Sequence, residues 1–278
     1  MSTAARTPAG PLYKPAVALD FFKTSGKPER IPAGQTIFAE GKKGLLFHDK
    51  MYLLISGEVE LQSKKKVLAT LKAGEIFGEL AAIDGAPRTA SAVAKIPCKV
   101  IGLDEKLFYA ALRKKPAFAL MLMSVMINRL RDTITRLAAA GDMSEREATK
   151  ESVTFKPKML ADLVRGLADD PPVFFLQGKQ IMQAGQTGLR MYAIVEGKVT
   201  VTIGGRVVER LGPGGVFGEA ALVEQSTRLA SALAETDCSL LAISRNAFMA
   251  LVKVSPQFAD AILASLAERM RFLTARLQ

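Results

Sequence analysis

The chain carries one pattern twice. Subtracting 140 from the numbering of the second half aligns residues 51–137 with 191–277 without a gap. Met51-Tyr52 falls on Met191-Tyr192, Gly57 on Gly197, Cys98 on Cys238, Phe108 on Phe248, Pro116 on Pro256 and Arg129 on Arg269. About 25 of the 87 aligned pairs are identical, well above chance for a gapless match. Upstream the offset becomes 144, with Ile37 on Ile181 and Gly41 on Gly185, so the first half has four extra residues within "GKKGLLFHDK". A fold built on this repeat has two similar domains, and 278 residues is enough for two of ordinary size.

Each half opens with a short helix and continues with closely spaced short strands. "MYLLISGEVELQ" and "MYAIVEGKVTVTI" are rich in aliphatic, β-branched and aromatic residues, with "SKKK" and "GG" as turns. The spacing predicts a β roll of jelly-roll type in each half. Pro116 and Pro256 then open long helices. Phe118, Leu122, Val125, Met126, Leu130, Ile134 and Leu137 share one face of the first; Phe258, Ile262, Leu266, Met270, Leu273 and Leu277 share one face of the second. Gly141 is a helix stop, Ser144 and Glu147 form a capping box for a linker helix, and "LADDPPV" breaks before the second roll. The expected organisation is a flexible tail over 1–18, a first domain over 19–140, a linker over 141–157 and a second domain over 158–278. The fold class is mainly β with flanking helices.

Composition narrows the chemistry. The two cysteines occupy equivalent strand positions in separate domains, so they read as buried core residues rather than a disulfide, and they fit a reducing, cytoplasmic setting. His48 is the single histidine, no cysteine pair has zinc spacing, and Walker A and G-x-S-x-G sequences are absent. No metal, cofactor or enzymatic activity is expected. No apolar run is long enough to span a membrane, and "MSTAARTPAGPLYKP" lacks the apolar core of a signal peptide. The net charge of +11 allows an acidic partner or only a basic solvated surface; Lys64, Lys65 and Lys66 read as an exposed hairpin turn.

The chemically informative stretches are "GEIFGELAAIDGAPRTASA" and "GGVFGEAALVEQSTRLASA". Each places a carboxylate and a guanidinium nine residues apart in a small, apolar run: Glu79 and Arg88, then Glu219 and Arg228. Glycine before the glutamate permits close backbone approach. The following N–H groups, near Leu80 and Ala81, start a helical turn and favour an anion. The arginine fork suits phosphate oxygens. The carboxylate would repel phosphate, so its natural partner is a sugar hydroxyl. Ala90, Ser91 and Ala92 leave room. The ligand implied is a compact phosphorylated sugar, although a Glu–Arg pair could also be a plain salt bridge holding a turn.

"FGELAAIDGAPRTASA" closely resembles the phosphate-binding cassette of cyclic nucleotide-binding domains, the family of catabolite activator proteins and regulatory subunits of cyclic-AMP-dependent protein kinase. "IFAEG" and "MYLLISGEVEL" fit that family's glycine-marked strands. The resemblance implies that Glu79 and Glu219 bind the ribose 2′-hydroxyl and that Arg88 and Arg228 bind the cyclic phosphate. Gly78 and Gly218 would admit the ribose. It extends the first site to Phe77, Leu80, Ala81, Thr89, Ala90 and the helix residue Thr133. The second would comprise Phe217, Ala220, Ala221, Leu229, Ala230, Leu273 and Thr274. The second cassette departs from the pattern, with Leu229 for Thr89 and Thr227 for Pro87. Thr89 is compatible with cyclic GMP as well as cyclic AMP, so up to two ligands of either kind per chain are implied.

The resemblance further implies a receptor whose long helix moves over the base, and a separate, unidentified effector protein that reads the movement. The chain offers neither a helix-turn-helix after a long helix nor a convincing kinase-docking segment, so a DNA contact of that type is not expected. The two long helices are expected to pack together through their apolar faces. Two other readings stay open: a module of the same fold that binds no nucleotide, and a basic regulator that binds nucleic acid.

Overall fold

The computed structural model describes residues 12–42, 49–64, 66–139, 153–167 and 170–276. The chain divides into two compact units, one formed by residues 1–130 with 266–278, the other by residues 131–265. These bounds differ from those expected from the repeat, because the last stretch of each long helix groups away from the roll that precedes it.

The first unit contains α1 (Pro15–Ser25), β1 (Lys27–Ile31), β2 (Thr36–Phe38), β3 (Lys50–Ser56), β4 (Glu58–Ser63), β5 (Lys66–Lys72), β6 (Ile76–Phe77), α2 (Glu79–Asp84), β7 (Ser91–Ala94), β8 (Cys98–Asp104) and α3 (Glu105–Lys114), and it includes the start of α4 (Ala117–Ala139). Two antiparallel four-stranded sheets, β1-β8-β3-β6 and β2-β7-β4-β5, form the roll. Tyr52, Leu54, Val59, Leu71, Phe77, Ala92, Ala94, Cys98 and Val100 fill its core. Alternation along β3 and β8 puts these side chains inward. Gly57, at φ 100°, is required between β3 and β4: a Cβ there would lie 2.6 Å from Cys98 Sγ.

The second unit repeats the plan. It contains α5 (Pro157–Gly166), β9 (Val173–Phe175), β10 (Gln180–Met182), β11 (Arg190–Glu196), β12 (Val199–Ile203), β13 (Arg206–Leu211), β14 (Val216–Phe217), α6 (Glu219–Glu224), β15 (Ser231–Ala234), β16 (Cys238–Ser244) and α7 (Arg245–Val254), followed by the start of α8 (Pro256–Arg276). Its sheets are β14-β11-β16-β9 and β10-β15-β12-β13. Even an irregularity recurs: the β3–β8 register shifts between Leu54 and Ser56, and β11–β16 shifts between Ile194 and Glu196. Cys98 and Cys238 are both buried and unbridged.

Residues 15–18 of the expected flexible tail belong to α1. Pro15 suits a helix start, and Ala18, Phe21 and Phe22 are buried, with Phe21 stacked on Phe118 of α4. Residues 1–11 lie outside the described residues. So do His48, most of the four-residue insertion, Lys65, Gly141, and the proposed cap at Ser144 and Glu147. The seven expected apolar positions of α4 are all buried, but Leu120, Met121, Met123 and Ile127 are buried too, so that stretch is enclosed all round. Among the described residues no single helix is long and apolar enough to cross a membrane, and no group of three or more acidic, histidine or cysteine side chains could hold a metal.

Candidate functional site

Both cassettes fold alike. The short strand ending at Phe77 or Phe217 is followed by a left-handed glycine, Gly78 (φ 75°) or Gly218 (φ 84°), and then by a six-residue helix that begins at the glutamate. Neither helix has a side-chain cap at its start. The left-handed turn brings Glu79, Arg88, Glu219 and Arg228 inward: all four are buried, with 4–8% of their surface exposed.

In the first unit the Arg88 guanidinium is fixed from three sides. Nη1 donates to the Gly78 carbonyl at 2.7 Å and Nη2 to the Lys50 carbonyl at 2.8 Å. Nη2 also lies 3.1 Å from Asp49 Oδ1. Its carbon sits 4.2 Å from the Phe38 ring centroid, and Phe38 belongs to an aromatic cluster with Tyr52 and Phe77. Burial pulls the Arg88 pKa down, while Asp49, Tyr52 and Glu79 oppose that shift. The Glu79 carboxylate meets Arg129 of α4, with Nη1 2.5 Å from Oε1, and Arg129 also donates to the Ile76 carbonyl. Burial opposes the charge on Arg129, but Glu79, Glu75 and Tyr13 outweigh it and raise its pKa. Tyr13 donates to the Gly74 carbonyl, and burial pushes its pKa up to about 12.

The second cassette keeps the fork and the glutamate but lacks a counterpart of Asp49. Arg228 donates to the carbonyls of Gly218 (2.7 Å) and Arg190 (2.5 Å), the counterparts of Gly78 and Lys50. The residue equivalent to Asp49 is Leu189, which is exposed, and Phe38 is replaced by Met182. Among the described residues Arg228 has no ion pair, and burial lowers its pKa. Tyr192 and Glu219 oppose that shift, and with leucine in the place of Asp49 the second guanidinium has one acidic neighbour fewer than the first.

A cavity of about 130 Å³ lies over the first cassette, lined by Phe77, Gly78, Glu79, Leu80, Ala81, Arg88, Thr89 and Ala90. These are the eight residues expected from the cassette itself. Phe38, Leu61, Leu68 and Arg129 complete the wall together with Met270 and Thr274 of α8. Thr274, expected at the second site, therefore lines the first. Thr133 is buried but groups with residues 131–265 and is not among those lining this cavity; Leu273 is buried and groups with the first unit. Helix length explains the difference. At about 1.5 Å per residue, a helix of this length runs on past the cassette it first meets. Arg129 still reaches Glu79, but residues from 131 onward belong with the other unit. In the second unit, Phe217, Glu219, Ala220, Ala221, Arg228 and Ala230 are buried around the equivalent turn, with Gly218 and Leu229 half-buried.

Arg129, Asp49, Phe38 and Met270 have no place in the sequence-level site. Arg129 left a usable signal, since Arg269 repeats it. Asp49 left none, because its counterpart is a leucine.

Two rolls with matching buried Glu–Arg cassettes define a tandem ligand-binding architecture. The cyclic nucleotide-binding domain model matches residues 28–115 and again 172–255, so the chain belongs to the cyclic nucleotide-binding domain family. It is 31% identical over 117 residues to the CRP-like cAMP-activated global transcriptional regulator of Mycobacterium tuberculosis, covering 40% of this chain and 50% of that protein. It is 40% identical over 100 residues to the cyclic AMP receptor protein of Thermus thermophilus, covering 34% and 46%. The chain thus spans about half the length of the curated relatives it matches. Among solved structures it is similar to the regulatory domain of Toxoplasma gondii PKA with cAMP (22% identity, 86% of this chain and 85% of that one, TM-score 0.31). It is also similar to the Thermus thermophilus catabolite activator protein (26%, 57% and 70%, TM-score 0.41).

Proposed function

We propose that the chain is a receptor for cyclic AMP, with cyclic GMP also admitted by Thr89, and that it regulates a separate effector protein rather than catalysing a reaction. The observation that carries this reading is the duplicated guanidinium: Arg88 and Arg228 are both buried and held by equivalent pairs of backbone carbonyls. Two carbonyls fix each fork without cancelling its charge; Asp49 offsets part of that charge at Arg88, and both forks would present donors to the cyclic phosphate. Glu79 and Glu219 would accept from the ribose hydroxyl, and Thr89, Met270 and Thr274 would face the base at the first site.

A cavity of 130 Å³ is small against the roughly 300–1,000 Å³ usual for ligand sites. Nucleotide entry at the first site therefore requires Met270, Thr274 and Arg129 to yield. That displacement is the signal we assign to the receptor: the ligand favours one helix position, and a partner reads it. The same small volume, with Glu79 already paired to Arg129, favours a second reading, a module that keeps the fold and binds no nucleotide.

Isothermal titration of the wild type, Arg88→Ala and Arg228→Ala with each nucleotide separates the two. Two sites in the wild type, with a different one lost in each variant, supports the receptor. No heat from folded wild type with either nucleotide supports the scaffold.

A further inference from the structure

Arg131 and Arg271 coincide under the 140-residue offset, and each ends on a cassette. In the first unit, Arg271 of α8 grips both oxygens of Asp84, with Nη2 2.7 Å from Oδ1 and Nε donating to Oδ2. It also donates to the carbonyls of Ala86 (3.2 Å) and Pro87. In the second unit, Arg131 of α4 donates through Nε to Glu224 Oε2 at 2.9 Å, and through Nη2 to Ser226 Oγ and the Thr227 carbonyl (3.4 Å). Asp84, Ala86 and Pro87 are the repeat counterparts of Glu224, Ser226 and Thr227, so one clamp is made twice.

The gripped loop is the one that delivers the site arginine. Pro87 and Thr227 immediately precede Arg88 and Arg228. Met270 and Thr274, on either side of Arg271 along α8, line the first cavity. An isolated surface ion pair contributes little. This clamp is different: its charged side chains are 4–23% exposed, each arginine holds a carboxylate plus loop oxygens, and the arrangement recurs.

We propose that Arg271 and Arg131 are positioning residues for the ligand, holding a helix end over the phosphate loop of each site. Arg271 keeps Met270 and Thr274 against the ligand bound at Glu79 and Arg88, and Arg131 does the same service for the site at Glu219 and Arg228. The inference rests on the nucleotide-receptor reading above. It makes ligand release at each site depend on one arginine that touches no ligand.

The test is equilibrium titration and stopped-flow release of cyclic AMP from the full chain, comparing wild type, Arg271→Ala, Arg131→Ala, Arg271→Lys, Arg271→Asp and Arg271→Asp with Asp84→Arg. Arg271→Ala should speed release on the order of ten-fold at one site and leave the other unchanged; Arg131→Ala should do so at the opposite site. The lysine variant, which keeps charge but not the fork, should fall between. Arg271→Asp alone should release fastest, and restoring opposite charge with Asp84→Arg should recover part of the retention. A merely structural role would lower the unliganded melting temperature without separating the sites, and the charge reversal would not slow release. If the wild type binds and Arg271→Ala and Arg271→Lys both release at wild-type rates, the clamp inference is overturned alone. If the folded wild type binds no cyclic nucleotide, the receptor reading falls and takes the inference with it.

Discussion

Arg129 Nη1 lies 2.5 Å from Glu79 Oε1, with the carboxylate almost wholly buried. The helix after the roll thus holds the residue assigned to the ribose. Removing the arginine would strand a buried charge. Arg129→Ala should destabilise the first unit by about 3 kcal/mol in urea denaturation, and adding Glu79→Gln should return much of that loss. A loss under about 1 kcal/mol would show the pair to be solvent-screened.

Arg88 and Arg228 should differ in what their removal costs. Arg88→Ala leaves Asp49 buried beside an empty space, whereas Leu189 stands at the matching place in the second unit. Arg88→Ala should therefore be the more destabilising, and Asp49→Ala in addition should be partly compensating. Thermal melts of the four proteins would read this; equal costs for the two arginines would contradict it.

Alanine at either left-handed glycine should be costly. A Cβ on Gly78 would lie 2.9 Å from Arg88 Nη1, and one on Gly218 2.5 Å from Arg228 Nη1. The backbone strain is about 1–2 kcal/mol in each case, so the closer approach makes Gly218→Ala the worse of the two. Each variant should also weaken cyclic AMP binding at its own site, because the guanidinium must shift. Melting temperature and titration together would check this, and a reversed order would refute it.

The second unit should carry a pH signature. Burial raises the Glu224 pKa above 4.5, with Arg131 pulling the other way. The folded protein then holds this proton more tightly than the unfolded chain does. The contribution to stability is full below pH 4.5 and is lost as pH rises through the folded value. Glu224→Gln should flatten that part of the stability–pH profile. An unchanged slope would assign it to other groups.

Much of this molecule is legible locally. The two rolls follow from short β-rich runs separated by turn residues, and the Glu79/Arg88 and Glu219/Arg228 cassettes are contiguous, so spacing and residue type suffice to find them. The 140-residue offset fixes the duplication and the equivalence of the two cysteines. What the sequence leaves open is which distant groups meet. Asp49 reaches Arg88 across 39 positions, Glu79 meets Arg129 across 50, and Arg271 grips Asp84 from 187 away. Local propensity contains no term for such contacts. A helix pattern gives a face and a length, but which loop lies beneath its last turn depends on where packing directs its axis. That is why Thr274 lines the cavity over the first cassette, and why the chain's own chemistry at each cassette was decided by sequence while the enclosure of the first was decided by tertiary structure.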